Sequence, residues 1–382
     1  MQKKLLHYLN NVSFIEWIAT GIIFLLFFIR FYFYLLQLKL LKQIRQSDKV
    51  NFIVPVSVII AAKNEAKNLK RFLPSILQQN YPEFEVIVVN DGSNDNTEEI
   101  LSHFKTKYSN LKTTFIKGDP HFKHNKKLAI SIGIKAAKYE NFVFTDADCY
   151  VQSNQWLTQM ARNFKENNLV LGFGGYEKEN TLLNKLIRYD TLKIAILYFS
   201  KALSGKPYMG VGRNLAYTKS LYNQVKGFSS HYHVPTGDDD LFVREASSYA
   251  KTAIETDPKS FTMSVPPSSF KAWQQQKSRH LQSSQFYSFG QNVFLGLEGF
   301  SRSTFHLFAV AGIILFPKVF FLVLLFFLVD LVIKLILSKK LFRHFGSKDL
   351  IFFEFFFDIL VPFLVFVRLI MNIFTRQNNI WT

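Results

Sequence analysis

Glu85-Val86-Ile87-Val88-Val89-Asn90-Asp91-Gly92-Ser93-Asn94-Asp95-Asn96 is the stretch that decides the fold. After Glu85, Val86 to Val89 form a short apolar run of β-branched residues, the pattern of a strand buried on both faces. Asp91 closes the run, and Gly92 to Asn96 are turn formers that lead into a helix. Asp95 with Glu98 three residues on has capping-box form, with Asp in the capping place. A buried strand that ends on a carboxylate and turns into a helix is half of a strand–helix–strand unit. Ligands of sheets built from such units collect outside the carboxyl ends of the strands.

The same alternation extends in both directions. Val56 to Ile60 reads as the preceding strand, and Leu69, Phe72, Leu73, Ile76 and Leu77 fall on one face of the helix after it. Thr113 to Ile116 reads as a strand, Lys126 to Ala137 as a helix and Phe142 to Thr145 as a strand. From Val56 to about Asp257 the spacing therefore predicts an α/β domain on a mostly parallel, doubly wound sheet. Asp91 and the pair Asp146 and Asp148 stand at the strand ends where a ligand would bind.

Outside this region the chain changes character. Hydrophobic residues make up 48% of it, charged residues 19%, and phenylalanine occurs 42 times, concentrated at the two ends. That points to lipid rather than to a core. Phe14 to Leu36 is long and apolar enough to cross a bilayer, despite Glu16 and Arg30, and lacks the small-residue exit of a cleaved signal peptide. Lys39, Lys42, Arg45 and Lys49 follow it and place the next residues in the cytoplasm. Phe305 to Leu337 reads either as one long tilted helix or, more consistently, as two helices joined at Pro317-Lys318. Phe355 to Phe374 is a last span or an interfacial helix, since Asp358 and Pro362 interrupt it. The expected organisation is a membrane anchor and basic linker over 1–50, a catalytic domain over 51–265, interfacial helices over 266–303 and two or three spans over 304–382. With four spans the termini face outward and the strand–helix domain inward.

The formal net charge of +18 fits a face beside anionic lipid, or a site for phosphates. A nucleic-acid partner would need basic and aromatic residues interleaved over an open sheet face. The strand–helix region lacks that pattern, so no nucleic-acid partner is expected. The lone Cys149 precludes an internal disulfide. His121, His124, His231 and His233 do not make a zinc pattern.

Three carboxylate clusters remain: Asp91, Asp146-Ala147-Asp148, and Asp238-Asp239-Asp240 after Gly237. Alternate residues of an extended segment share a face, so Asp146 and Asp148 can point to one site. An Asp at a helix start is also an ordinary cap, so each cluster alone has a purely structural reading. Together they suit transfer of a sugar from a nucleotide sugar. That reaction needs a cation, held by hard oxygen ligands, on the diphosphate and a separate general base on the acceptor hydroxyl.

Ser57-Val58-Ile59-Ile60-Ala61-Ala62-Lys63-Asn64-Glu65, Val88-Val89-Asn90-Asp91-Gly92-Ser93 and Phe144-Thr145-Asp146-Ala147-Asp148 resemble the opening motifs of family 2 glycosyltransferases, over roughly Val56 to His280. The flanking apolar segments resemble that family's membrane-bound branch. The resemblance implies a GT-A fold, a nucleotide-sugar donor (a UDP-sugar favoured), an inverting mechanism and a divalent metal, Mg or Mn. It implies that Ala62 and Glu65 line the nucleoside pocket and that Asp91 accepts a hydrogen bond from the base. Lys126 would approach the phosphates, Asp146 contact the ribose or diphosphate, and Asp148 ligate the metal. Asp238 would be the catalytic base, with Thr236 in the place of the motif's Thr. Gln276 and Arg279 match a Gln-x-x-Arg-Trp motif near the diphosphate and the acceptor side.

Three positions depart from the family pattern. Asn90 replaces an Asp. Gly237 replaces a Glu, so the motif can also be read one residue later, with Asp239 as the base; the spacing to Asp240-Leu241 favours Asp238. His280 replaces Trp, which with so few spans argues against a processive, exporting polymerase. Gly210-Val211-Gly212-Arg213-Asn214 resembles an acceptor-side loop, which puts Asn214, Asp239 and His280 on the acceptor side, although a tight turn explains the glycines equally well. Trp273 reads as a headgroup-depth anchor of an interface helix, or with Gln276 and Arg279 as part of a lid. The acceptor expected is a lipid or a cell-envelope glycan at the inner (plasma) membrane, with catalysis on the cytoplasmic side. The competing reading is an inactive membrane scaffold with the same fold.

Overall fold

A computed structural model describes residues 12–46, 52–117 and 125–374, with the side chains of 372–374 excepted. His121, His124 and Lys49 lie outside the described residues. In chain order the elements are α1 (Phe14–Gln46), β1 (Val56–Ala62), α2 (Ala66–Leu77), β2 (Phe84–Asp91), α3 (Thr97–Lys107), β3 (Leu111–Ile116), α4 (Lys126–Ala136) and β4 (Asn141–Phe144). Then follow β5 (Cys149–Val151), α5 (Trp156–Ala161), β6 (Leu169–Leu171), β7 (Gly174–Tyr176), α6 (Leu182–Ala202), β8 (Leu215–Thr218), α7 (Lys219–Gln224), α8 (Asp240–Ala246), β9 (Thr252–Ile254) and β10 (Thr262–Ser264). The last helices are α9 (Phe270–Ser284), α10 (Phe289–Leu315), α11 (Phe320–His344) and α12 (Glu354–Phe374). The chain divides into two compact units. One holds the described residues between 43 and 286, and the other holds 12–42 with 287–374.

The 43–286 unit is built on a seven-stranded sheet ordered β3-β2-β1-β4-β8-β6-β9. β3, β2, β1 and β4 are parallel, whereas β8 runs antiparallel to both β4 and β6. The apolar runs have become strands without an exposed residue: all seven residues of β1 are buried, and so are seven of the eight in β2. Val58, Ile60, Val86 and Val88 pack against Leu69, Leu73, Leu101 and Trp156 in one core. Full burial of such a side chain contributes about 1.5–3 kcal/mol. A second sheet, β5-β10-β7, lies beyond the acidic pair.

Asp95 does not form the expected capping box. Its Oδ1 accepts from the Thr97 amide at 3.1 Å, and its Oδ2 accepts from the Ala66 amide at 3.1 Å, at the start of α2. Glu98 instead accepts from the Asn90 side-chain amide at 2.7 Å. A side chain in a turn can reach the end of a neighbouring helix as readily as its own, so the local pattern did not decide the partner.

The other unit is helical. Its apolar core joins Ile23 and Phe27 of α1 to Phe305 of α10 and Val323 of α11. Glu16 caps α1: Ser13 N–H donates to its carboxylate at 2.7 Å, and Glu16 N–H donates to Ser13 Oγ at 3.3 Å. The break between α10 and α11 falls at Pro317-Lys318, as the two-helix reading expects. Among the described residues three segments are long and apolar enough to cross a membrane: Phe14–Gln46, Phe320–His344 and Lys348–Met371. α10 is not one of them. Four charges in the middle of these segments face inward, whereas the lysines and arginines near the ends of α1 and α11 are exposed. Arg30 meets Asp330 at 2.6 Å, and Lys334 meets Asp358 at 2.6 Å, with all four side chains at most 5% exposed. Pairing of this kind is how ionisable groups persist at membrane depth.

Candidate active site

β1, β2 and β4 end at one edge of the sheet, and the acidic residues are gathered there. Ala62 and Asn90 are register partners at the ends of β1 and β2, and Ala62 is fully buried. Asp91 is 1% exposed, with the Lys63 ammonium 3.7 Å from its Oδ2. The turn after β1 leads to the start of α2, where Glu65 holds the Asn68 side-chain amide at 2.6 Å. Burial first, then the neighbouring charges of Asp148 and Asp146, push Glu65 up to about 7 against the pull of that hydrogen bond.

Asp146 and Asp148 follow β4. Their carboxylate oxygens and Cys149 Sγ lie within 4.8 Å of one another. Burial and the charge of Asp146 raise the pKa of Asp148, with Arg213 opposing. Two carboxylates set this close favour a cation between them, and their hard oxygens suit Mg or Mn better than the buried thiol does. The residues present therefore fit a divalent ion. Arg213 lies over the Tyr176 ring at 4.5 Å and donates to the Gly175 carbonyl at 2.9 Å.

Asp238 comes to the same edge from the other half of the sheet. Lys126, the first residue of α4, sits between the two halves, 2.7 Å from Asp146 Oδ1 and 2.9 Å from Asp238 Oδ2. Burial works to raise the pKa of Asp238, but the Lys126 ammonium outweighs it, so the carboxyl titrates below its usual range. Burial works equally against the charge on Lys126, and Asp146 and Asp238 hold its pKa well above normal. The adjacent Asp239 behaves oppositely. Burial, then Asp238 and Asp240, push it up to about 7, although its Oδ2 accepts from the Gly212 amide at 2.8 Å and its Oδ1 from the Asp240 amide at 2.7 Å.

Two glycines permit this approach. Gly237 has φ +90°, and a Cβ there would fall 2.5 Å from Leu241 Cδ1. A Cβ on Gly212 would come 3.0 Å from Lys126 Nζ. Gly212 therefore serves close approach at the acidic site, whereas Gly237 serves a left-handed turn packed against Leu241.

The α9 residues divide. Gln276 accepts from Tyr176 Oη at 3.0 Å and is tied through that ring to Arg213. Arg279 and His280 are exposed. Trp273 is 2% exposed and packs on Phe270, so it is part of the protein interior rather than an anchor at headgroup depth. Lys277 pairs with Asp190 at 2.5 Å, and Ser283 donates to Asp240, which fastens α9 to the domain. His231 is buried against Ser230 and His233 is exposed, so the two histidines share no site.

Asn214 is placed against its expected acceptor-side role. It is fully buried, accepts from Trp156 Nε1 at 3.1 Å, and donates to the carbonyls of Phe173 at 2.9 Å and Ser260 at 2.7 Å. An amide that joins three segments of the interior presents no atom to an acceptor. Lys63, Arg213 and Tyr176 surround the site without having been assigned a role from sequence. Arg213 was visible only inside a glycine-rich loop, and nothing local marks Tyr176.

A mixed, mostly parallel sheet with a buried acidic residue at the end of β2, a paired carboxylate after β4 and a third acidic cluster from the far half defines a nucleotide-sugar-binding domain of GT-A type. Residues 57–226 match the model of glycosyl transferase family 2, and the chain carries a family 2 glycosyltransferase domain flanked by apolar helices that fit membrane association. Over 180 residues the chain is 29% identical to a poly-beta-1,6-N-acetyl-D-glucosamine synthase of Staphylococcus epidermidis, a match covering 46% of this chain and 42% of that protein. Over 104 residues it is 38% identical to the glycosyltransferase AglE of Haloferax volcanii, covering 27% of this chain and 33% of that protein. The chain thus spans less than half the length of the curated relatives it matches. The fold is shared with the mannosyltransferase PcManGT from Pyrobaculum calidifontis, solved in complex with GDP-Man and Mn2+. The TM-score is 0.57 at 17% identity, covering 94% of this chain and all of that one.

Proposed function

We propose that the protein is an inverting glycosyltransferase that moves a sugar from a nucleotide sugar to a hydroxyl of a membrane-proximal acceptor, a lipid or a cell-envelope glycan. The observation that carries the reading is the single ammonium of Lys126 held by both Asp146 and Asp238. It sets the donor-side carboxylates and the candidate base one side chain apart.

In this reading Ala62, Glu65 and Asp91 bound the nucleoside end, with uracil favoured as the base. Asp146 and Asp148 would hold a divalent ion, which when bound neutralises charge on the diphosphate. Lys126 turns to the phosphates, and Arg279 and Gln276 steady the leaving group from α9. Asp238 takes the acceptor proton as the hydroxyl oxygen forms its bond to the anomeric carbon. The bond from that carbon to the diphosphate oxygen breaks, and the nucleoside diphosphate leaves with the electron pair. Attack from the face opposite the leaving group inverts the centre. Asp239 and His280 border the acceptor side. Activated N-acetylglucosamine is the first donor to try, because the staphylococcal relatives are named as synthases of its polymer. The catalytic unit faces the cytoplasm at the inner membrane, as the basic residues Lys39, Lys42 and Arg45 toward the carboxyl end of α1 support.

The test is nucleotide release by the detergent-purified chain over a panel of nucleotide sugars with lipid extract, with and without Mg or Mn. Release from one donor class, abolished by chelator, is expected. Silence with every donor favours the scaffold reading.

A further inference from the structure

We infer that Lys127 is a positioning residue for the catalytic aspartate: its buried side chain grips the turn that delivers Asp238. The inference rests on the transferase reading above.

Lys127 is fully buried, directly beside Lys126 at the start of α4. Its ammonium donates to two backbone carbonyls of one turn, His231 at 2.6 Å and Val234 at 2.9 Å. The Asn125 side-chain amide donates to the Tyr232 carbonyl of the same turn at 3.2 Å, while its Oδ1 caps α4. Three consecutive residues thus hold one strategic segment. Asn125 and Lys127 fix the backbone of 231–234, and Lys126 holds the Asp238 carboxylate. Only Pro235, Thr236 and Gly237 separate the gripped turn from Asp238, and Gly237 adopts the left-handed conformation that turns the chain toward Lys126.

A lysine kept only to fill space would be an expensive choice. Taking an ammonium out of water is unfavourable unless hydrogen bonds replace the lost hydration. Burial accordingly lowers this amine to about 8. An apolar side chain would fill the volume without that cost, but it would leave the two carbonyls without this donor and the turn free to shift. Misplacement of a reacting group by about 1 Å costs on the order of a hundredfold in rate.

The test is a double-mutant cycle in the full detergent-solubilised chain, read by nucleotide release with the donor that supports turnover. Lys127→Met is expected to lower kcat roughly 10- to 100-fold, with the dissociation constant of the free nucleoside diphosphate changed less than about twofold. In the Asp238→Asn background the same substitution is expected to change the residual rate less than about twofold, because a residue acting through Asp238 has nothing left to align. General structural damage would lower both backgrounds alike. If Lys127→Met does not fold, Lys127→Gln, which is neutral and still able to donate, carries the same cycle with an intermediate loss expected. A variant kcat within about twofold of wild type, or an equal loss in both backgrounds, overturns the inference and leaves the transferase reading standing. A wild-type chain that releases nucleotide from no donor sinks that reading and this inference with it.

Discussion

Lys126 and Asp238 form an ion pair of 2.9 Å across the carboxyl edge of the sheet, between residues more than a hundred positions apart in the chain. The pair keeps the candidate base ionised and oriented. Replacing Asp238 by Asn removes proton acceptance but keeps the shape. We expect kcat to fall about a hundred- to ten-thousand-fold, with donor binding retained. Single-turnover nucleotide release together with calorimetric donor binding checks this; near-wild-type turnover rules out Asp238 as the base.

Asp148 is expected to carry the metal requirement. Chelator should abolish turnover, and Mn or Mg should restore it. Asp148→Asn should raise the metal concentration needed for half-maximal rate by at least about tenfold, in the range seen when a metal site loses a supporting group. Metal titration of initial rates decides it, and an unchanged requirement would move the site elsewhere.

Asp239 gives a pH dependence with a definite sign. Its folded pKa of about 7 lies above the ordinary 3.8, because burial and then Asp238 and Asp240 disfavour its charge. Between those values the folded protein holds a proton that the unfolded chain has released. The stability associated with this group is therefore complete below about pH 4 and is lost as pH rises through 7. Thermal midpoints at pH 5 and pH 8 should differ more in wild type than in Asp239→Asn. Equal differences would contradict the assignment.

Asn214→Ala tests whether that residue is interior or acceptor-side. Loss of a buried amide with three partners leaves two carbonyls and an indole N–H unsatisfied, at about 1–3 kcal/mol for each such group. The expected result is a large drop in thermal midpoint, with the acceptor KM of the surviving enzyme unchanged. A raised acceptor KM at unaltered stability would restore the acceptor-side role.

Asp330→Ala strands the Arg30 guanidinium inside the helical unit. Breaking a buried pair from one side typically costs about 3–5 kcal/mol. Removing both charges, as in Arg30→Met with Asp330→Leu, should cost less than the single change. Unfolding midpoints in detergent distinguish the two, and equal losses would mean that the pair contributes little.

Strand–helix alternation, the strand-end carboxylates and the helix break at Pro317-Lys318 were legible because each is written in consecutive residues. The antiparallel β8 was not: strands of three or four residues carry too little pattern to reveal direction. The same limit hid the roles of Asn214 and Trp273. A polar or aromatic side chain near a motif looks alike in sequence whether it faces a substrate or the interior.

The sequence by itself determined that Asp91, Asp146 and Asp148 stand at strand ends, because the apolar runs before them leave no other end for the strands. It also marked Asp238 as the candidate base, but only through the resemblance, and left Asp239 as a rival. The tertiary structure alone decided that Lys126 joins Asp146 to Asp238, that Lys127 beside it turns inward to two carbonyls, and that Arg30 finds Asp330. These partners come from segments tens to hundreds of residues apart. A lone charge in a sequence states that a partner is needed, whereas packing states which partner it is.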